Sequence, residues 1–232
     1  MRKKGYLIDF EGLDCSFKET NTTKLYNHIK ENITDKVILL SFPNYENESS
    51  LFVKKYLSGQ YGKASDVDPY QASVCYAIDR YDTMKEINIE EKINEGYIVI
   101  LDRYIGSNLV FQTTKLKNIS THEVDAYISW ALDFEYNKLG LPKEDIVIYM
   151  NMPVEVSHEI MLERKLKNGM STDGHENNYK FMKDVEDTAK SIIIPKLGYH
   201  IVDCINEDNS IKTEEEIFAN ILNILKKELT EE

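Results

Sequence analysis

Several features that would assign a protein to a special class are scarce in this sequence of 232 residues. Its three cysteines, Cys15, Cys75 and Cys204, are an odd number without metal-ligand spacing, which disfavours a disulfide framework and is typical of a reducing compartment. Only 10 glycines and 5 prolines occur, so the chain lacks the excess that marks disordered proteins. We therefore expect an ordered globular protein in which Cys75 and Cys204 are core residues.

A long apolar segment and an excess of positive charge are also missing. The basic residues at the start precede an apolar stretch of only about five residues, which runs into Asp9 and Glu11 and so predicts neither a signal peptide nor a membrane span. The 28 Lys and Arg residues against 40 Asp and Glu residues give a net charge of −12, which disfavours binding to nucleic acid polymers and anionic membranes. We expect a cytoplasmic protein in which an anionic ligand meets a local positive site.

The apolar residues that are present form five short runs bounded by polar or turn residues. Short runs rich in Ile, Val and Leu are typical of buried parallel strands, and longer stretches with helical spacing separate them. This alternation predicts a doubly wound α/β fold, with a five-stranded parallel sheet flanked by helices. The predicted strands are Tyr6–Phe10, Val37–Phe42, Tyr97–Leu101, Ile146–Met150 and His200–Val202. The predicted helices are Thr20–Asn32, Ser49–Ser58, Pro69–Glu95, Thr121–Leu139, Val154–Lys167, Asn177–Lys196 and Glu214–Leu229.

Two local signals refine this organisation. Thr213 and Glu216 have the spacing of a capping box, which predicts the start of the last helix, whose apolar face then packs on the sheet. Residues 165–176 are polar, contain Gly169 and Gly174, and interrupt the helical spacing. We expect a single domain over residues 1–232 with a small mobile lid at about 165–176.

The segment between the first strand and the first helix has the order of a phosphate-binding loop. In such a loop, backbone N–H groups, a lysine and a helix N-terminus surround phosphate groups. Lys18 would be that lysine. The match to the G-x-x-x-x-G-K-[ST] pattern is incomplete, and an ordinary strand-to-helix turn is an open alternative. The candidate ATP-binding residues are Gly12, Leu13, Asp14, Cys15, Ser16, Phe17, Lys18, Glu19 and Thr20.

Two substitutions distinguish this loop from the usual pattern. Phe17 replaces the second glycine, which introduces strain of about 1 to 3 kcal/mol if a positive φ is enforced there. Glu19 replaces the hydroxyl that normally contacts magnesium, and Thr20 beside it can supply a hydroxyl instead. Cys15 lies near Lys18 and a helix N-terminus, surroundings that lower a thiol pKa, so we hypothesise that its modification blocks ATP binding.

Motifs spread over nearly the whole chain resemble the thymidylate kinase family in order and spacing. Each motif is weakly specific by itself, but the combination is specific. The motifs are Glu11-Gly12-Leu13-Asp14, Ser41-Phe42-Pro43-Asn44-Tyr45, Tyr76 to Tyr81, Asp102-Arg103-Tyr104, Gly140-Leu141-Pro142-Lys143, and Asp173 to Glu176 ahead of Val185.

The resemblance implies transfer of the γ-phosphoryl group of ATP to dTMP by a phosphate-loop kinase that uses Mg²⁺ and forms a homodimer. It implies that Asp14, Lys18, Arg103 and Arg164 are catalytic and that Asp102, Glu19 and Thr20 are candidate metal ligands. Arg80 and Arg103 can clamp the acceptor phosphate, because a guanidinium matches phosphate oxygens bidentately. The implied dTMP-binding residues are Asp14, Phe42, Tyr45, Tyr76, Arg80, Arg103, Phe111 and Gln112.

Other interpretations of these residues stay open at the level of sequence. Each arginine can instead form a structural salt bridge, Asp102 can cap a helix, Phe42 and Tyr76 can belong to the core, and Gln112 can be solvated. Two alternative functions stay open. The first is a nucleotide-binding relative with weakened ATP turnover, which the altered phosphate loop suggests. The second is a kinase for another pyrimidine nucleotide or for a nucleoside.

Overall fold

The computed structural model describes residues 5–168 and 179–230, and these contain a five-stranded parallel sheet. The strands are β1 Tyr6–Gly12, β2 Val37–Ser41, β3 Ile98–Asp102, β4 Ile146–Asn151 and β5 His200–Asp203. Their order across the sheet is β2-β3-β1-β4-β5. Leu7 pairs with Val99 of β3, and Ile8 pairs with Ile146 of β4, so β1 lies in the centre. The predicted fold and all five predicted strands are confirmed.

The three central strands, β1, β3 and β4, are buried on both faces, as expected of parallel strands. Because side chains alternate along a strand, Leu7 joins one core cluster and Ile8 joins the other. The helices that follow β1 and β3 bury their apolar residues in different clusters and therefore cover opposite faces. The chain thus leaves a crevice at the carboxyl ends of β1 and β3, where ligands of open α/β sheets bind.

The helices agree with most of the predicted ranges but differ at four places, and the first two residues of the predicted helix Asn177–Lys196 lie outside the described residues. Their bounds are α1 Lys18–Asn32, α2 Leu51–Leu57, α3 Pro69–Glu86, α4 Ile89–Asn94, α5 Ile105–Leu116, α6 Thr121–Leu132, α7 Val154–Asn168, α8 Tyr179–Thr188, α9 Ile194–Leu197 and α10 Glu214–Thr230. Asn88, with a φ of 53°, separates α3 from α4, so the single helix predicted to reach Glu95 is wrong. Helix α5 was absent from the prediction. Helix α6 continues as a π-helical turn, Asp133–Lys138, and α8 continues as a second one, Ala189–Ile193.

The capping box at the start of α10 is confirmed. The Glu216 carboxylate accepts from the Thr213 backbone N–H at 2.9 Å, and the Thr213 hydroxyl accepts from the Glu216 backbone N–H at 3.3 Å. Among the residues that the structure describes, no helix is both long and apolar enough to cross a bilayer. Cys204 is buried as predicted, whereas Cys75 is only half-buried, so its assignment to the core is wrong.

Candidate active site

A cavity of about 330 Å³ opens between α3 and α5 at the carboxyl end of β3, and we call it the α3–α5 cavity. All eight residues predicted to bind dTMP line this one cavity, although they come from five separate parts of the chain. The lining comprises Asp14, Ser41, Phe42, Pro43, Tyr45, Leu57, Tyr76, Arg80, Asp102, Arg103, Tyr104, Ser107, Asn108, Phe111 and Gln112.

The α5 wall of this cavity carries two buried amide groups, and that of Gln112 has no hydrogen-bond partner among the described residues. Gln112 is fully buried, and neither its Oε1 nor its Nε2 has a partner among the described residues. Asn108, one helical turn earlier, is also buried, and its amide stands beside Glu135 without a well-formed hydrogen bond. A buried amide without partners is unfavourable by about 1–3 kcal/mol. This wall is therefore suited to a ligand that presents both a donor and an acceptor, and the solvated alternative for Gln112 is wrong.

Arg80 enters the same cavity from α3 and is held by a buried carboxylate. Its Nε and Nη2 each donate to Glu135 over 2.6 Å, and Nη1 donates to the Tyr104 carbonyl over 3.4 Å. Burial opposes the charge on Arg80, but the attraction of Glu135 outweighs it and raises the pKa of Arg80. The structural salt bridge is therefore real, and because Glu135 occupies the Nε–Nη2 edge of the guanidinium, a ligand can meet only the remaining N–H bonds on Nη1 and Nη2.

Aromatic side chains form the remaining walls. Phe42 is buried in the core, where its ring centroid lies 6.0 Å from that of Tyr104. It also borders the cavity, so it is both a core residue and a lining residue. Tyr76 is half-buried, with its ring edge-on to Tyr56 at 5.8 Å. Tyr45 is exposed at the mouth. These rings form apolar walls that are suited to a planar ligand.

The loop that ends β3 is fixed by Glu11, a buried carboxylate that sequence reasoning placed in a motif but gave no role. Glu11 accepts from the backbone N–H groups of Tyr104 at 2.9 Å and Ser107 at 2.7 Å, and so caps the N-terminus of α5. A Cβ on Gly106 would lie 2.8 Å from Glu11, so a side chain does not fit there. Glu11 thereby fixes the start of α5, and the Arg103 backbone N–H is held separately by the Phe10 carbonyl at 3.0 Å.

The phosphate loop contains only one glycine, Gly12, but its backbone has the conformation of a nest, a concavity of backbone N–H groups that is suited to an anion. Gly12 has a φ of 145°, and a Cβ there would approach the Met150 carbonyl to 2.7 Å, so glycine is required. Cys15 and Phe17 have φ values of 57° and 64°, which side chains rarely adopt. The positive φ foreseen for Phe17 is thus present, and its ring packs against the cluster that contains Phe10. Such alternation turns successive N–H groups inward.

Lys18 reaches back into this loop. Its Nζ donates to the carbonyls of Gly12 at 3.0 Å and Leu13 at 2.6 Å and lies 3.3 Å from the Ser16 hydroxyl. Burial, together with the nearby charge of Arg103, lowers the pKa of Lys18 to about 8. The loop therefore holds a buried cation at the helix N-terminus.

A second cavity of about 230 Å³, the loop cavity, adjoins the phosphate loop. Asp14, Asp102 and Arg103 line both cavities, and Arg103 forms an ion pair with Asp14 and donates to the Gly12 carbonyl over 3.1 Å. Burial disfavours the Arg103 charge, but Asp14, Asp102 and Glu11 together raise the pKa of Arg103. The lining comprises Asp14, Cys15, Ser16, Phe17, Lys18, Glu19, Thr20, Asp102, Arg103 and Arg164.

Several candidate residues differ in the structure from what the sequence predicts. Leu13 is a core residue, and its backbone carbonyl, not its side chain, faces Lys18. Arg164 lies at the loop cavity as expected, but most of the predicted lid, residues 169–176, lies outside the described residues. Asn108 and Glu135 were missed. Asn108 has the i, i+4 spacing to Gln112 that could have indicated it, whereas no local signal links Glu135 to Arg80.

Comparison with known proteins agrees with this geometry. A sequence-family model described as thymidylate kinase matches residues 10–215. The thymidylate kinase of Plasmodium falciparum is 26% identical over 206 residues, which are 83% of this chain and 90% of that relative. The thymidylate kinase of Mycobacterium tuberculosis strain H37Rv is 29% identical over 176 residues, or 74% and 78% of the two chains.

A solved structure shows the same fold. The thymidylate kinase of Candida albicans aligns with a TM-score of 0.73 at 20% identity and covers 100% of this chain and 96% of its own. The family match spans more than four-fifths of the sequence and includes both cavities. The chain therefore belongs to the thymidylate kinase family of nucleoside monophosphate kinases.

Proposed function

We propose that the protein transfers the γ-phosphoryl group of ATP to dTMP, giving ADP and dTDP, with residues 1–232 acting as one domain. The observation that carries the proposal is the pair of cavities that share Asp14, Asp102 and Arg103. Transfer between two nucleotides needs two anionic sites that face each other, and little covalent chemistry. The shared residues stand at the boundary where the two phosphate groups would meet.

The α3–α5 cavity would hold the acceptor. Arg103 would bind its phosphate, since Arg103 borders both cavities, whereas Arg80 borders only this one. The base would lie at the other end, between the faces of Tyr76 and Phe111, with Phe42 and Tyr45 completing the walls. Gln112 would pair with the polar edge of the base, because its amide offers a donor and an acceptor. Asp14 would face the sugar hydroxyl.

The loop cavity would hold the ATP phosphates. Backbone N–H groups of residues 12–20 and the ammonium of Lys18 would bind them, and Arg164 would approach the transferred group from α7. Asp102, Glu19 and Thr20 line this cavity and offer the hard oxygen ligands that Mg²⁺ prefers. These residues would hold the ion, whose chemistry is to neutralise charge on the phosphate oxygens.

A coupled assay of ADP formation tests the proposal. We expect turnover with ATP, Mg²⁺ and dTMP, and weaker turnover with dUMP, dCMP and thymidine, with Phe17→Gly measured in parallel. Tight binding of dTMP without ADP formation would contradict the proposal and support a binding relative whose loop is impaired by Phe17 and Glu19. Preferred turnover of another acceptor in the panel would reassign the substrate.

We also propose that two copies associate. Leu51 and Phe52 on α2 and Ile78 and Tyr81 on α3 are exposed apolar side chains on two neighbouring helices. Val53 and Tyr56, the other apolar residues of α2 near this surface, are buried in the core. Light scattering should give the mass of a dimer, and Ile78→Asp should shift it toward the monomer.

A further inference from the structure

We propose that Glu135 is a positioning residue that aims Arg80 at the acceptor base and thereby sets the preference for a pyrimidine with a 4-oxo group. The inference deepens the proposed function and rests on it. It starts from an ion pair between two side chains that are only 2% and 1% exposed. Such a pair in the wall of a cavity needs an explanation, because burying two charges is unfavourable unless their geometry is nearly ideal.

The geometry of the pair leaves one edge of the guanidinium free. A guanidinium has five N–H bonds. Glu135 accepts from Nε and Nη2, and the Tyr104 carbonyl accepts from Nη1. The remaining N–H bonds lie on the two terminal nitrogens, and Arg80 lines the α3–α5 cavity. The edge that a ligand can meet therefore contains donors only.

Glu135 is itself held rigidly. It lies in the π-helical turn Asp133–Lys138, a rare geometry that often occurs at functional sites. The preceding Phe134 stacks on Trp130 at 5.2 Å between ring centroids, and the following Tyr136 donates its hydroxyl to Glu144 over 2.5 Å. Anchors on both sides fix the Glu135 carboxylate, which in turn fixes Arg80, a long side chain that would otherwise have many rotamers.

This arrangement separates two kinds of base. A 4-oxo group accepts from the donor edge of Arg80, whereas a 4-amino group would place donors against donors. Gln112 does not discriminate in this way, because its amide can turn to present either its oxygen or its nitrogen. Selection between thymine or uracil and cytosine therefore depends on Arg80, and the aim of Arg80 depends on Glu135.

The test measures kcat and KM for dTMP and dCMP in wild type, Glu135→Gln, Glu135→Asp, Arg80→Gln and the Arg80→Gln/Glu135→Gln double variant. Wild-type turnover of dTMP in the same assay establishes the proposed function separately. For Glu135→Gln we expect kcat/KM for dTMP to fall about 10- to 100-fold, mainly through KM, while dCMP changes little, so the ratio of the two falls about tenfold. The double variant should be no worse than Arg80→Gln alone.

Tyr127→Phe is the matched control. Tyr127 lies on α6, which continues into the π-helical turn of Glu135, and joins α3 through a buried 2.7 Å hydrogen bond to Ser73 but does not line the cavity. Its dTMP-to-dCMP ratio should equal that of wild type. Equal losses for dTMP and dCMP in Glu135→Gln would assign Glu135 a purely structural role and overturn the proposal. An added loss in the double variant relative to Arg80→Gln would also overturn it, even if Glu135→Gln alone folded poorly.

Discussion

The α3–α5 cavity and the phosphate loop meet at Arg103, but they are built in different ways. The cavity consists of side chains anchored by regular elements, with the buried Arg80–Glu135 pair and the α5 cap by Glu11 fixing its walls. The loop is irregular backbone, in which Cys15 and Phe17 are held in the left-handed region and Lys18 bonds to the carbonyls of its own loop. The α3–α5 cavity is therefore preorganised by side-chain packing. The phosphate loop is preorganised by a backbone conformation that is strained for residues other than glycine.

Loss of Arg103 should have the largest effect, because this residue belongs to both regions. For Arg103→Met we expect kcat/KM for dTMP to fall about 10³- to 10⁴-fold, since a cation that stabilises a transferring phosphoryl group contributes on this scale. Steady-state kinetics provides the measurement. Lys196→Met, which removes an exposed ion pair to Asp125 at 2.8 Å, should stay within about twofold of wild type. A loss for Arg103→Met under about tenfold would contradict its place between the two sites.

Gln112→Leu should weaken the site while it stabilises the fold. Removing a buried amide without partners should raise the free energy of unfolding by about 1 kcal/mol, whereas KM for dTMP should rise about 100-fold. Urea unfolding and kinetics give the two values. The matched control is Thr113→Val, because the Thr113 hydroxyl is also buried and without a partner on α5 but does not line the cavity. Thr113→Val should gain stability without loss of activity. If its activity fell as much as that of Gln112→Leu, the loss would reflect a general sensitivity of α5 to substitution and not the Gln112 amide.

The pH dependence of ATP use should reveal the state of Lys18 in the loop. In the proposed function the charged ammonium of Lys18 would bind phosphate. Because its pKa is lowered to about 8, kcat/KM for ATP should fall as pH rises through that value, by about tenfold per unit. Burial also lowers the pKa of Lys115 to about 8, and Lys115 bonds to the Val67 carbonyl away from the loop. The decline should persist in Lys115→Met. If the decline disappeared in Lys115→Met, the titrating group would be Lys115 and not Lys18.

Substitutions of Phe17 should give the smallest effect and isolate the backbone strain of the loop. Both Phe17→Gly and Phe17→Ala remove the ring, but only glycine adopts a φ of 64° without strain, so Phe17→Gly should be about 1 kcal/mol more stable. Chemical unfolding measures the difference. At Asn27, an exposed position inside α1, the order should reverse, with alanine favoured by about 1 kcal/mol. The same order at both positions would mean that the loop is not strained.

Local patterns were sufficient for much of the fold. Short apolar runs predicted all five strands, and the spacing of Thr213 and Glu216 predicted the start of α10. Helix α5 was missed because its cavity face carries Asn108 and Gln112 and so weakens the apolar periodicity. The break at Asn88 was missed because only a positive φ at a non-glycine residue marks it. Polar residues that line the cavity thus obscured the local helical signal.

The sequence by itself determined the strand and helix order, the place of the phosphate loop and the residue types that converge on one cavity, because these depend on periodicity and short motifs. Only the tertiary structure decided which groups are paired. Glu135 lies 55 residues from Arg80, and Glu11 lies 93 residues from Tyr104. Such partners are selected by burial, since a charge or a helix end removed from water requires a partner wherever the fold provides one.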